Sequence, residues 1–291
     1  MKSNTNAKTD HSLSASSTAL SFPSFSAEAH RGGRGLMPEN TIVAMLAALK
    51  NDKVTTLEMD THITKDKQVI VTHDPQLNPN YMLTPQGVEI PKTDNKKYVV
   101  YQMNYDEIKA FDNGSKGNPA FPQQEKVKAY IPKLSDLIEA VQTEIKNTGR
   151  KQVFYNIETK SVANGDGNLH PAPAEFVDLL IAVIQKHKIQ DYVVVQSFDK
   201  RTIQYMNTKY PQIKASYLVS KKNTYEYYRA ELGFKPFIIS PDYKIVDAEF
   251  VRQAHAEGVK VIPWTVNTKK DMEVLNALKV DGIITDYPNL F

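Results

Sequence analysis

The strongest constraint in this chain is a rhythm. From about residue 26 onward, short apolar runs alternate with helical stretches of period 3.6. The strand-like runs fall at Ala27–His30, Val54–Asp60, Gln152–Glu158, Tyr192–Ser197, Ile213–Val219, Pro236–Ser240, Val259–Val266 and Gly282–Thr285. Helical segments fill most of the gaps, at Asn40–Asn51, Leu134–Asn147 and around 173–187, 199–209, 222–232, 247–257 and 269–278. In the first, Ile42, Val43, Met45, Leu46 and Leu49 share a face, with Pro38 and Asn40 as stop and cap at its start. Strand and helix alternating eight times over roughly 265 residues predict a (β/α)₈ TIM barrel. A doubly wound sheet would want fewer strands and usually a Gly-rich phosphate loop, and neither GxGxxG nor GxxxxGK[ST] is present.

One connection breaks the rhythm. More than 90 residues separate the second and third barrel strands. The segment starts with Val69–Thr72 after the short turn Lys65-Asp66-Lys67-Gln68, too short to return the chain to a parallel neighbour. An antiparallel hairpin is therefore predicted, with Thr64 opposite Val69 and Asp60 opposite His73. Residues 75–131 then carry many Pro, Asn, Gly, Lys and Tyr residues with little periodicity, and read as an insertion over one barrel mouth. The predicted organisation is a disordered tail over 1–25 and one barrel domain over 26–291, insertion included.

Composition narrows the chemistry. The chain has no cysteine, which excludes thiol catalysis, Cys-ligated zinc and iron–sulfur clusters. With Lys plus Arg at 36 and Asp plus Glu at 33, the charge is too balanced for nucleic-acid binding by bulk electrostatics. No apolar run approaches the ~20 residues of a membrane span. The polar first 20 residues lack the apolar stretch of a signal peptide. They read as a spacer left after removal of a secretion signal, which predicts a periplasmic or secreted protein; a cytoplasmic disordered tail is the other reading.

In such a barrel, reacting residues stand at the C-terminal strand ends. Glu58 and Asp60, two apart, face one side of a strand, and Glu158 joins them from the neighbouring strand. Alone, such carboxylates are ordinary salt-bridge partners. Three of them converging on one mouth repel unless a cation sits between, and a site without thiolate favours a hard divalent ion: Mg²⁺, Ca²⁺ or Mn²⁺. Arg31 and Lys160 stand beside them. With one dication, these groups leave a single positive charge, which suits a monoanionic phosphodiester. His30 and His73, with reference pKa near 6.5, are suited to divide the labour of proton donor and acceptor. Trp264 ends the seventh strand, as core or as a wall for part of the substrate, and Tyr243 is a weaker candidate of the same kind. Asp74 is suited to orient or cap locally. His11, His62, His170, His187 and His255 read as non-catalytic.

His30-Arg31-Gly32, Pro38-Glu39-Asn40-Thr41, Glu58-x-Asp60, Thr64-x-Asp66, His73-Asp74, Asn156-Ile157-Glu158-Thr159-Lys160 and Gly282-Ile283-Ile284-Thr285-Asp286-x-Pro288 stand in this order. Together they resemble the glycerophosphodiester phosphodiesterase family, over about residues 28–288. The resemblance implies a TIM barrel with a small insertion after the hairpin, and metal-dependent hydrolysis of glycerophosphodiesters to sn-glycerol 3-phosphate and an alcohol. It implies Glu58, Asp60 and Glu158 as ligands of one divalent cation, and His30 and His73 as the acid/base pair. Arg31 and Lys160 become phosphate ligands, and Glu39 holds Arg31 or His30. Arg34, in a Gly-rich turn longer than in many members, could add a second phosphate contact, and Lys67 replaces the common hairpin glycine. The rival readings are a lysophospholipase D or sphingomyelinase D type, with Tyr81, Met82, Leu83, Tyr98, Val99, Val100 and Tyr101 lining an apolar channel, and a non-catalytic phosphodiester-binding barrel.

Overall fold

The helical stretches begin where a side chain can satisfy the free backbone N–H groups of the first turn. Thr41 accepts from the Ala44 N–H at the start of helix α1 (Ile42–Leu49), and Asp199, Thr224, Asp247 and Thr268 do the same for four later helices. Those helices are α5 (Lys200–Lys209), α6 (Tyr225–Leu232), α7 (Ala248–Ala256) and α8 (Lys269–Ala277). A computed structural model describes residues 21–291.

Strands β1 (Ser26–Ala29), β2 (Thr56–Ile63), β4 (Phe154–Thr159), β5 (Val193–Ser197), β6 (Lys214–Val219), β7 (Ile238–Pro241), β8 (Lys260–Val261) and β9 (Gly282–Thr285) form one parallel ladder, in the order β8-β7-β6-β5-β4-β2-β1-β9. The two ends of the ladder meet. The Asp281 N–H donates to the Val261 carbonyl at 2.8 Å, Ile284 N–H to Pro263 at 3.0 Å, and Val266 N–H to Ile284 at 2.9 Å. The barrel expected from the alternation is therefore present, closed between its seventh and eighth strands, with α1, α3 (Leu134–Thr148), α4 (Pro173–Lys186) and the later helices outside it.

The interior is divided. Val194, Ile238, Ile262 and Ile284 form an apolar column on one side. On the other, Ser26, Glu28, Thr56, Glu58, Asn156 and Gln196 are all buried. They form a chain: Ser26 Oγ donates to Glu28, Asn156 Nδ2 donates to Glu28 and to Gln196, and Gln196 Nε2 donates to Glu58. Buried polar groups need partners of this kind, and here most find one another, with Asn156 Oδ1 left without one. The tail expected over 1–25 falls mostly outside the described residues. Of its last part, Phe22 packs edge-on against Phe154 at 5.0 Å and Phe237 at 5.2 Å, under the N-terminal end of the barrel.

The predicted hairpin forms between β2 and β3 (Val69–Val71), but its register is corrected. Ile63 pairs with Val69, and the Thr72 N–H donates to the Asp60 carbonyl, so Asp60 stands opposite Thr72 and not His73. The turn spends three residues, not four. Thr64 N–H bonds the Gln68 carbonyl, and Lys67 sits in the left-handed region at φ 61° as a bulge residue.

Between β3 and α3 the chain builds a second small core from Ile70, Leu77, Tyr81, Met82, Ile90 and Val100, with α2 (Tyr105–Lys109) packed into it. Tyr81, Met82 and Val100, expected to line an apolar channel, are consumed by this core and offer no open surface. The same segment braces the loop after β1. Glu125 N–H donates to the Leu36 carbonyl, Gln124 Nε2 to the Arg34 carbonyl, and Asn113 Nδ2 to the Glu39 carbonyl.

Candidate active site

The chain leaves β1 through a tight turn, His30–Gly32. Arg31 (φ 53°) and Gly32 (φ 81°) are both left-handed, which turns His30 and Arg31 over the barrel mouth. A side chain at Gly32 would bring its Cβ to 2.8 Å from the Cβ of Ala44, so glycine is required there. Arg31 is held in its unusual conformation by its own N–H, which donates to Glu58 at 2.8 Å, and by its carbonyl, which accepts from the Asn40 N–H. Asn40 is itself left-handed, which Asn tolerates better than most residues, and its amide donates to Asp60 at 2.8 Å.

Neighbouring strands bring the carboxylates together. Asp60 and Glu158 are directly paired across β2 and β4. Glu58, Asp60 and Glu158 are all buried, and each offers an oxygen within 4.8 Å of the others. Burial, together with the charges of Asp60 and Glu158, raises the Glu58 carboxyl well above its ordinary range. Burial and Asp60 raise Glu158 against the opposing pull of Lys160. Burial works in the same direction on Asp60, but the charges of Arg31, His73 and Lys160 overcome it and hold Asp60 well below. Two cations flank the trio: Arg31 Nε lies 3.1 Å from Asp60, and Lys160 Nζ lies 2.9 Å from Glu158 and 3.8 Å from Asp60. A dry, all-oxygen donor set that repels itself fits a hard divalent cation.

Both histidines are anchored by carboxylates at Nδ1. His30 Nδ1 is 2.6 Å from Asp286, and His73 Nδ1 is 2.8 Å from Asp74. An ionised carboxylate only accepts, so each Nδ1 carries its hydrogen and each Nε2 is left as the position that takes up or gives a proton. His30 Nε2 points toward Glu58, at 3.9 Å. Burial pulls the His30 imidazole down to about 4, opposed by the Asp286 hydrogen bond. Burial works to raise Asp74, but the His73 bond and charge bring it to about 2. His62 adds support from below: its Nε2 is 3.0 Å from the His73 carbonyl.

The remaining expected residues converge on the same mouth. Glu39 holds Arg31, accepting from its guanidinium at 2.8 Å. Arg34 Nε donates to Asp286 at 2.7 Å while its guanidinium lies over the Phe121 ring. Trp264 lines the cavity, donates its indole N–H to the Ser240 carbonyl, and meets Phe198 edge-on at 5.3 Å. Tyr243 packs against the barrel core, and His170 is tied to the Val162 N–H and the Pro171 carbonyl.

Three participants carried no role from the sequence: Gln196 on the carboxylates, Asp286 behind His30, and Phe198 beside Trp264. A fourth, Asn40, was expected as the helix cap, but Thr41 takes that place and Asn40 serves Asp60 instead. Asp286 stood in a quoted motif. Gln196 and Phe198 stood at a strand end, which was the only signal for them.

Residues 30–290 match the glycerophosphoryl diester phosphodiesterase family. A glycerophosphodiester phosphodiesterase of Bacillus subtilis is 31% identical over 275 residues, covering 90% of this chain and 84% of the relative. A crystal structure from Silicibacter pomeroyi, assigned as a glycerophosphoryl diester phosphodiesterase, superimposes with a TM-score of 0.80 at 28% identity, covering 94% of this chain and 93% of that one. An Oleispira antarctica phosphodiesterase, solved with its product sn-glycerol-3-phosphate, shares the fold with a TM-score of 0.70 at 22% identity, over 90% of this chain and 93% of that one. With a match of that extent over a mouth so built, this chain belongs to the glycerophosphoryl diester phosphodiesterase family.

Proposed function

We propose that this protein hydrolyses glycerophosphodiesters to sn-glycerol 3-phosphate and an alcohol, with one divalent cation held by Glu58, Asp60 and Glu158. The observation that carries the reading is the buried carboxylate trio, set between two cations and two carboxylate-anchored histidines. A divalent cation bound there would polarise a phosphoryl oxygen and acidify a nucleophilic hydroxyl.

The chain's own residues supply the rest. Arg31 and Lys160 neutralise and orient the phosphoryl oxygens. Arg31 is unusually rigid for this task, because Glu39 and Asp60 hold its guanidinium and its charge is stabilised far into the basic range. One histidine Nε2 takes the proton of the attacking hydroxyl, from water or from the glycerol 2-hydroxyl. The other returns a proton to the departing alcohol oxygen. Asp286 and Asp74 keep both imidazoles in the tautomer that this exchange requires. Trp264 and Phe198 give the substrate an apolar wall. The product of the Oleispira relative supports the same product here.

The test is a panel of glycerophosphodiesters assayed for sn-glycerol 3-phosphate release before and after chelation, with Mg²⁺, Ca²⁺ and Mn²⁺ each added back. Release that stops on chelation and returns with a metal is the expected result. No hydrolysis with any of the three would leave a binding protein that has kept the barrel.

A further inference from the structure

The carboxylate site opens into two basins. The first, about 150 Å³, runs over β1, β8 and β9 and is lined by His30, Arg34, Glu58 and Trp264. The second, about 230 Å³, lies over the β2–β3 hairpin and the loop between β4 and α4, and reaches Pro75, Val162 and Leu169. His73, Glu158, Lys160 and Phe198 border both. Their linings differ. The first presents charged donors and acceptors. The wall of the second is apolar, and its two buried histidines are engaged by uncharged backbone groups: His62 with the His73 carbonyl, His170 with the Val162 N–H and the Pro171 carbonyl.

We propose that the second basin seats the alcohol released by the reaction, and that it selects an uncharged apolar alcohol over a cationic head group of the same shape. The inference rests on the phosphodiesterase reading above. In-line displacement at phosphorus places entering and leaving oxygens on opposite sides. With the glycerol 2-hydroxyl as the entering oxygen, a diester held over the carboxylates sends its glycerol arm and its leaving alcohol into different basins. The glycerol arm, rich in hydroxyls, finds partners in the first. In the second, the P–O bond to the other alcohol breaks and that oxygen leaves with the bonding pair. It takes a proton from a histidine, while the new P–O bond forms as the nucleophile loses its own.

Charge decides which alcohol fits. Glu158 is the one carboxylate on the second basin, and it already bonds Lys160 at 2.9 Å. A cationic head group would be stripped of water there beside a like charge, with no free anion to meet it. A single aromatic ring, Phe198, does not make the cage that quaternary ammonium groups need.

The experiment compares glycerophosphocholine with the diester of 3,3-dimethylbutanol, the uncharged carbon isostere of choline. The wild-type protein should favour the uncharged ester by about tenfold in kcat/KM, as expected when one partner must bury an unpaired charge. Val162 is 49% exposed on the rim of this basin and belongs to no part of the carboxylate or histidine machinery. Val162→Glu should bring the ratio to about one or below, while turnover of the methyl diester, too short to reach this wall, stays within about twofold. Equal or faster turnover of the choline ester by wild type overturns the proposal, as does a ratio that Val162→Glu leaves unmoved. Failure to hydrolyse even the methyl diester with any of the three metals removes the phosphodiesterase reading itself, and this proposal with it.

Discussion

His30 Nδ1 and Asp286 Oδ1 are 2.6 Å apart across 256 residues of sequence. Barrel closure makes the contact, because Ala29 and Thr285, the residues just before them, are paired across β1 and β9. Asp286 is itself fixed, accepting from Arg34 Nε and from Asn267 Nδ2, each at 2.7 Å. The pair orients a neutral imidazole whose Nε2 faces the carboxylates.

Asp286→Asn should therefore keep the fold and lose rate. The amide can present an N–H₂ to Nδ1, which favours the wrong tautomer and takes the lone pair away from Nε2. We expect kcat to fall by about 10²–10⁴ with KM nearly unchanged, the range for losing a general acid or base. Steady-state kinetics that show the loss in KM alone would contradict this positioning role.

His73→Ala should cost a similar factor, about 10²–10⁴ in kcat. Asp74→Asn should cost less than His73→Ala, because Asp74 is 30% exposed at its side chain and water can take its place at Nδ1. Near-normal turnover by His73→Ala, measured with saturating metal, would remove it from the reaction.

Metal addition should raise thermal stability with the logarithm of free metal concentration, by about 2.7 kcal/mol at a hundred times the dissociation constant. Glu58→Gln should abolish most of that gain. The metal-free variant should lose only a little stability, since the change relieves the repulsion by Asp60 and Glu158 but turns an amide N–H₂ toward one of the two donors, Arg31 N–H or Gln196 Nε2. Melting curves with and without each cation read both effects. A variant that keeps the full metal-dependent shift would show that Glu58 is not a ligand.

Glu28 gives the stability its own pH signature. Burial lifts this carboxyl from 4.5 to about 7, against the hydrogen bonds from Asn156 and Ser26. Below pH 4.5 the group is protonated in both states. As pH rises toward 7 the unfolded chain releases its proton and the folded one keeps it, so stability falls with pH over that window. The cost levels off at about 3 kcal/mol above the folded pKa. Glu28→Gln keeps an acceptor for Asn156 and can donate to Ser26, so it should remove this slope and stabilise the protein at pH 8. Urea unfolding of both proteins at a series of pH values isolates the difference. Parallel curves would show that Glu28 titrates normally.

The barrel was legible because eight apolar runs at regular spacing admit few other packings, and the strand-end positions of His30, Glu58, Asp60 and Glu158 follow from that alone. The hairpin was legible in kind but not in register. Lys67 adopts a left-handed conformation as a bulge residue, and nothing in its side chain announces it. The apolar residues of the insertion were visible as residues, but whether they faced an acyl chain or one another depended on how the segment folded on itself.

What the sequence determined by itself was therefore local and periodic: which side chains share a strand face, where helices start, and that acids without thiols want a hard cation. The tertiary structure decided which distant residues meet. Asp286 reaches His30 only because the last strand closes on the first. Gln196 holds Glu58, and Glu39 holds Arg31, through contacts that no spacing encodes. Two basins, one polar and one apolar, exist because β1, β8 and β9 bound one side of the carboxylates, and the hairpin with the loop after β4 bounds the other. Periodicity sets direction along a strand, and closure of the ladder into a ring sets the neighbours across it.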